Sequence, residues 1–211
     1  MTFPPVNTSS AAFGEDIDDP DVLPPDPVEL LMRWLPEFSS VERPLMALST
    51  MGLDGYPNTR HVLLSSYSPE GLTFHTDRRS AKAAELAASP RASVALAWPE
   101  IGRQLVVRGD VETTPAPESA EVYARRVRGL QLLAWLNDAD LAVEPRATRR
   151  ERWAEFGRAH PDGSLTPPAD WAGYLLRPRS ITFWRADTEG PSNRHQYDLV
   201  GGSWRGRKLP G

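Results

Sequence analysis

Between residues 45 and 111 the chain runs through a series of short β-type segments interrupted by one helical stretch, and this pattern constrains its fold most. The alternation predicts strands over Leu45–Ser49, Thr59–Ser65, Leu72–Thr76, Ala92–Trp98 and Gln104–Val111, with turn signals at residues 52–57 and 68–71. Between the third and fourth lies an Ala-rich segment, Ser80–Ser89, which favours helix and is stopped by Pro90. Antiparallel strands broken by a single helix point to a small barrel. The strand, Gly-rich turn and helix order of a dinucleotide fold does not occur, which disfavours a nicotinamide-binding Rossmann domain.

The flanks complete a mainly β fold with helices around it. Residues 1–25 read as a flexible, acidic, Pro-rich arm: six of the first 27 residues are proline, and Glu15-Asp16-Ile17-Asp18-Asp19 is an acidic run. The folded domain spans 26–211. It opens with an amphipathic helix, where Val28, Leu31, Trp34, Leu35 and Phe38 recur at helical spacing behind the start signal Asp26-Pro27. Further helices are predicted over Glu118–Arg128 and Arg146–His160. A strand from Trp171 to Trp184 follows, then a terminal hairpin over Gln196–Leu209 turning at Gly201-Gly202.

Composition narrows the function classes. A net charge of −4 gives no sign of a general nucleic-acid binder. The absence of cysteine rules out disulfides, thiolate metal sites and Cys nucleophiles. With four scattered histidines, no metal-ligand spacing emerges; His61 and His75 on adjacent strands make only a pair. Neither a long apolar run nor a secretory signal pattern is present, so the expectation is a cytoplasmic protein with no membrane partner.

The chemistry concentrates at two strands and the helix after them. Arg60-His61-Val62-Leu63-Leu64-Ser65 is followed by His75-Thr76-Asp77-Arg78-Arg79-Ser80-Ala81-Lys82, a turn rich in hydroxyls and cations that opens a helix. Arg60 offers a two-pronged contact to phosphate oxygens, Lys82 a compact charge, and Thr76, Ser80 and the helix start further donors. Read alone, Arg60 and Lys82 are equally well solvated surface charges.

With these elements in place, residues 26–211 resemble the pyridoxamine 5′-phosphate oxidase family of split-barrel flavoproteins. Arg60-His61-Val62-Leu63-Leu64 is similar to that family's R-x-V-L-L strand, and Phe74-His75-Thr76 with Ser80 and Lys82 to its phosphate turn. Arg103-Gln104 to Gly109 is similar to a further strand motif, Phe183-Trp184 to the F-W pair, and Arg194 with Tyr197 to the end of the R-L-H-D-R motif. The resemblance implies an FMN-binding split β-barrel that forms a homodimer, with FMN in the groove between protomers. It implies cofactor contacts from Arg60, His61, Val62, Leu63, His75, Thr76, Ser80 and Lys82, and from Gln104 to the flavin ring. Trp184 and Arg194 close the site from the other subunit. Read without the resemblance, Gln104 is also an ordinary outward position of a strand, Trp184 ordinary core, and Arg194 a loop residue.

The substrate half of the family pattern departs. Where a pyridoxine phosphate oxidase carries Lys, Tyr, Arg and Ser, this chain has Ser65, Val122, Arg126 and Leu130. Gly190 and Ser192 replace an Arg and a His, Ala81 replaces an Arg, and Ala139-Asp140 a Gln-Ser pair. A phosphate dianion is poorly compensated at such a site. The helix Pro27 to Phe38 and the segment Glu42-Arg43-Pro44 to Leu48 are similar to the phenazine-biosynthesis branch of the family.

The expected function is therefore an FMN-dependent oxidase. It takes hydride from a small reduced heterocycle or amine, with O2 as acceptor and hydrogen peroxide released. Arg126, His195 and Ser192 are the candidates at the substrate face. Two alternatives stand beside it: a pyridoxamine or pyridoxine 5′-phosphate oxidase with a phosphate site rebuilt from Arg125, Arg126 and Arg128, and a protein that binds flavin or another ligand without turnover.

Overall fold

The computed structural model describes residues 23–35, 44–161, 163, 165–187 and 189–211. The acidic arm up to residue 22, Phe38 and the Glu42-Arg43 pair fall outside them. Helix α1 (Pro27–Trp34) starts where expected, because Asp26 accepts a 2.9 Å hydrogen bond from the Val28 N–H and Pro27 occupies the first turn. It is followed by β1 (Leu45–Met51), β2 (Pro57–Leu63), a short strand β3 (Ser66–Ser68) and β4 (Gly71–Asp77). Next come α2 (Ala81–Ala88), β5 (Arg91–Trp98) and β6 (Arg103–Thr113). Four helices then run in succession: α3 (Ala116–Ala124), α4 (Arg128–Leu136), α5 (Ala139–Ala142) and α6 (Arg146–Ala159). The long strand β7 (Trp171–Arg185) and the hairpin β8 (Asn193–Val200) and β9 (Ser203–Leu209) complete the chain.

All pairings are antiparallel, in the order β2-β1-β5-β6-β7-β4-β3, with β8 also on β7 and β9 on β8. The sheet curls so that the chain just after β2 meets β4, where the Ser65 N–H donates to the Thr73 carbonyl at 2.8 Å. Strand β7 serves two neighbours on one edge: Trp171–Leu176 pair with β4, and Ser180–Arg185 pair with β8. Pro178, which has no N–H to donate, lies between the two halves. Opposite it the register shifts at Arg108/Gly109. A Cβ at Gly109 would stand 1.8 Å from the Arg177 carbonyl oxygen, so only glycine permits this approach.

Alternation along the strands buries Met46, Leu48, Phe74, Val94, Leu105, Val107, Ile181 and Phe183 inside the barrel. Helix α1 adds Leu30, Leu31 and Trp34 to this core, with Trp34 edge-on to Phe183 at 5.0 Å.

Three local expectations change. The helix predicted over Glu118–Arg128 is two helices: α3 ends at Ala124, Val127 adopts an extended conformation, and α4 starts at Arg128. Ser66–Ser68 adds a strand where none was expected. Strand β8 begins at Asn193 rather than Gln196, so Arg194 and His195 are strand residues facing opposite sides, not loop residues.

Candidate functional site

Strands β2 and β4, the start of α2, and α3–α4 enclose a cavity of about 260 Å³. Its walls include His61, Val62 and Leu63 from β2, His75, Thr76 and Asp77 from β4, and Ser80 and Lys82 from the turn into α2. The structure thus brings seven of the expected cofactor contacts to one place, together with Arg126 from the α3–α4 junction.

At one end of the cavity the Lys82 ammonium donates to Thr76 Oγ1 at 3.1 Å, and Thr76 Oγ1 lies 3.4 Å from Ser80 Oγ. Ser80 is the N-cap of α2, so the positive end of that helix lies beside these hydroxyls. Burial lowers the Lys82 pKa below the usual lysine value, and the nearby Arg60 charge lowers it further. Asp77, on the same wall, is held below the usual carboxylate range chiefly by its hydrogen bond from Arg79, at 2.7 Å.

Arg60 stands near enough to Lys82 for its charge to lower the lysine's pKa. It is not among the cavity-lining residues, and its guanidinium engages Glu85 at 2.5 Å and the Thr50 hydroxyl. Glu85 is 3 % exposed and takes further hydrogen bonds from Thr50 at 2.5 Å and Asn58 at 2.7 Å. Burial alone would raise its pKa, but the bonds from Thr50, Asn58 and Arg60 outweigh this and lower it.

The rest of the lining is largely aromatic and apolar, with Asn137 and Asp170 among it. Trp171 stacks on His75 with ring centroids 5.1 Å apart, and the Arg126 guanidinium lies 4.4 Å from the centre of the Trp171 ring. Leu130, Leu133 and Ala134 of α4 line the wall alongside.

Gln104, Trp184 and Arg194 lie apart from this cavity, yet they form one row. Gln104 pairs with Trp184 across β6–β7, and Trp184 with Arg194 across β7–β8. Gln104 and Arg194 are exposed and Trp184 is half-buried. His195, by contrast, is 4 % exposed, opposite Phe183 on the other face of β8, and joins neither group. Ser192 lies beside the chain end at Gly211, also away from the cavity.

Sequence reasoning did not reach Trp171, Asp77, Asp170 or Glu85 as site residues. The signal for Trp171 is an aromatic just after Pro167-Pro168, which by itself marks only the start of a strand. Glu85 carried one too, three residues after Lys82 and hence on the same side of α2.

Residues 36–156 match the family model described as pyridoxamine 5′-phosphate oxidase. The chain belongs to the pyridoxamine 5′-phosphate oxidase family. Among curated relatives, the pyridoxine/pyridoxamine 5′-phosphate oxidase of Caulobacter vibrioides is 34 % identical over 187 residues, covering 87 % of this chain and 84 % of the relative. The enzyme of the same description from Thermobifida fusca is 36 % identical over 190 residues, covering 88 % and 86 %. Among solved structures, PhzG of Burkholderia lata, in complex with tetrahydrophenazine-1-carboxylic acid, superposes with a TM-score of 0.78 at 26 % identity, covering 90 % of this chain and 98 % of that one. A pyridoxamine 5′-phosphate oxidase-related FMN-binding protein of Nostoc punctiforme shares the fold, with a TM-score of 0.65 at 20 % identity, covering 79 % and 88 %.

As a pyridoxamine 5′-phosphate oxidase-type split-barrel protein, the chain is an FMN-dependent oxidoreductase. The cavity suits that cofactor on its own chemistry. A partly buried ammonium, two hydroxyls and a helix N-terminus form a setting in which a phosphate restores the charge balance that burial disturbs. Among the described residues no group of three or more His, Asp or Glu is placed to hold a metal ion, and no helix is long and apolar enough to cross a membrane.

Proposed function

We propose that the protein is an oxidase of a small reduced heterocycle or amine, with O2 as acceptor and hydrogen peroxide as product. The observation that carries this reading is the mixed lining of the cavity: a cation and hydroxyls at Lys82, Thr76 and Ser80, together with apolar and aromatic side chains at Leu130, Leu133, Ala134 and Trp171. Lys82, Thr76 and Ser80 would hold the FMN phosphate, and His61, Val62, Leu63 and His75 would flank the cofactor. Bound there, FMN would supply the two-electron redox chemistry that couples oxidation of the substrate to reduction of O2 to hydrogen peroxide.

The chain's own residues would bind and orient the substrate. Arg126, seated over the buried Trp171 ring, would present its planar guanidinium to a flat substrate, and Leu130 and Leu133 of α4 would exclude water from it. Arg126 adds one positive charge there. One cation in an apolar wall suits a ring with at most a single anionic substituent better than a phosphate dianion. The bound ligand named for PhzG, a reduced ring bearing one carboxylate, is of this chemical class.

Gln104, Trp184 and Arg194 would complete the site from a second protomer. Their row is accessible on one protomer while the phosphate end is built elsewhere on the same chain, so a homodimer joins the two halves. The 34–36 % identity to named phosphate-ester oxidases favours one rival, oxidation of pyridoxamine or pyridoxine 5′-phosphate with Arg126 as the replacement cation.

Peroxide release by the FMN-loaded protein under air separates these readings. Turnover of dihydro- or tetrahydro-heterocyclic carboxylates, with pyridoxamine 5′-phosphate inert, supports the proposal. Preferential turnover of pyridoxamine 5′-phosphate establishes the rival. No peroxide from any of them, with flavin bound, leaves a flavin carrier.

A further inference from the structure

We propose that Glu85 is a positioning residue for the cofactor phosphate, acting through Arg60 without touching the cofactor. The inference rests on the proposed phosphate-binding end at Lys82, Thr76 and Ser80, and adds Arg60 to it.

Glu85 is a buried carboxylate outside the cavity lining, and its contacts form a closed network. Its Oε2 accepts from the Arg60 guanidinium and the Thr50 hydroxyl, both at 2.5 Å, and its Oε1 accepts from the Asn58 amide at 2.7 Å. Thr50 is used twice, since its oxygen also accepts from the other terminal nitrogen of Arg60. Both guanidinium ends are therefore tethered, one by Glu85 and one by Thr50. A long, rotamer-rich side chain is held in a single plane before any ligand arrives.

The tethers connect three elements of the site. Arg60 is on β2, Thr50 on β1, and Glu85 on α2 one turn beyond Lys82. The pairing thus fixes α2, whose N-terminus carries Ser80 and Lys82, against the strand that supplies His61 to Leu63. The effect on Lys82 shows that Arg60 is within electrostatic reach: its charge lowers the lysine's pKa, and the Glu85 charge raises it. The Glu85 charge thus offsets part of the effect of Arg60 on Lys82.

A buried ion pair of this kind is weak evidence of stabilisation by itself, because desolvation offsets much of the attraction. Its value lies in orientation, since holding one flexible side chain saves about 0.5–1.5 kcal/mol of ordering on binding, equivalent to a roughly three- to tenfold gain in affinity. Riboflavin lacks the phosphate, so the ratio of FMN to riboflavin affinity isolates this contribution from general effects on the fold.

The test measures both affinities by quenching of flavin fluorescence in wild type, Arg60→Ala, Glu85→Gln, Thr50→Val and the Arg60→Ala/Glu85→Gln double variant. Thermal unfolding of each identifies loss of folding. Glu85→Gln removes the charge but keeps the shape, whereas Thr50→Val loosens Arg60 and keeps every charge. The expected result is a roughly three- to tenfold fall in FMN preference over riboflavin in both, with Glu85→Gln adding nothing once Arg60 is gone. A rise in preference for Glu85→Gln with no change for Thr50→Val would mean that Glu85 merely neutralises Arg60, and would overturn the proposal. Lower melting temperatures with an unchanged ratio would overturn it in favour of a purely structural pair. An unchanged ratio in Arg60→Ala would instead remove Arg60 from phosphate binding, and the proposal with it.

Discussion

Gln104 stands directly opposite Trp184 across the β6–β7 pair, and Trp184 directly opposite Arg194 across β7–β8. Residues 90 positions apart in sequence are thereby set in one line by three adjacent strands. An amide, an indole and a guanidinium in a row offer a hydrogen-bonding group, a flat face and a charge to a planar ligand. Replacing Trp184 by Ala is expected to weaken FMN binding about three- to tenfold, the worth of one aromatic contact. Because the indole is only half-buried, the melting temperature should move little. Fluorescence titration and thermal unfolding of the same sample measure both.

With Lys82 at the proposed phosphate site, FMN binding is expected to depend on pH. Burial and the Arg60 charge lower its pKa in the unliganded protein, while a bound phosphate favours the ammonium and raises it again. Binding therefore takes up a proton between the two values. Affinity is full below the free-protein pKa and falls as pH rises through it, at pH values below the ordinary lysine range. Titrations across the alkaline range should show this decline, and Lys82→Ala should bind more weakly with a flatter profile.

Glu85 contributes to stability with the opposite pH sign. Its folded-state pKa is lowered, so its contribution is present above the ordinary value of about 4.5 and is lost as pH falls below that value through the folded one. Thermal unfolding of wild type should show a steeper acid decline than Glu85→Gln. At neutral pH the variant should be less stable by about 2 kcal/mol, the worth of a charge-assisted hydrogen bond.

Arg126, its guanidinium 4.4 Å from the centre of the Trp171 ring, is the proposed substrate-binding cation. Arg126→Ala is expected to raise KM for an anionic substrate about tenfold or more while leaving FMN affinity near wild type. Steady-state peroxide assays alongside flavin titration separate the two effects.

The parts of this site that could be read from the sequence are the local ones. Thr76, Ser80 and Lys82 fall within seven residues, and a strand leading into a helix start brings them together whatever the rest of the chain does. The outward position of Gln104 followed from period-two alternation on β6. Contacts between distant segments gave no such signal. Trp171 reaches His75 only through the β4–β7 register, and Glu85 reaches Arg60 only once α2 lies against β1. The start of β8 was hidden for another reason: Asn193-Arg194-His195-Gln196 shows no apolar alternation, because the inward position is filled by a histidine. The break between α3 and α4 was obscured by Arg125, Arg126 and Arg128, good helix formers flanking the extended Val127.

Lys82, Thr76 and Ser80 are proposed to hold the phosphate of FMN. The most direct test is the absorption spectrum of the purified protein, followed by FMN titration of wild type and Lys82→Ala, with riboflavin as the comparison. The expected result is a flavin spectrum or tight stoichiometric uptake of FMN by wild type, preference for FMN over riboflavin, and loss of that preference in Lys82→Ala. A colourless protein that takes up no FMN, or one that binds riboflavin as tightly as FMN, would contradict it.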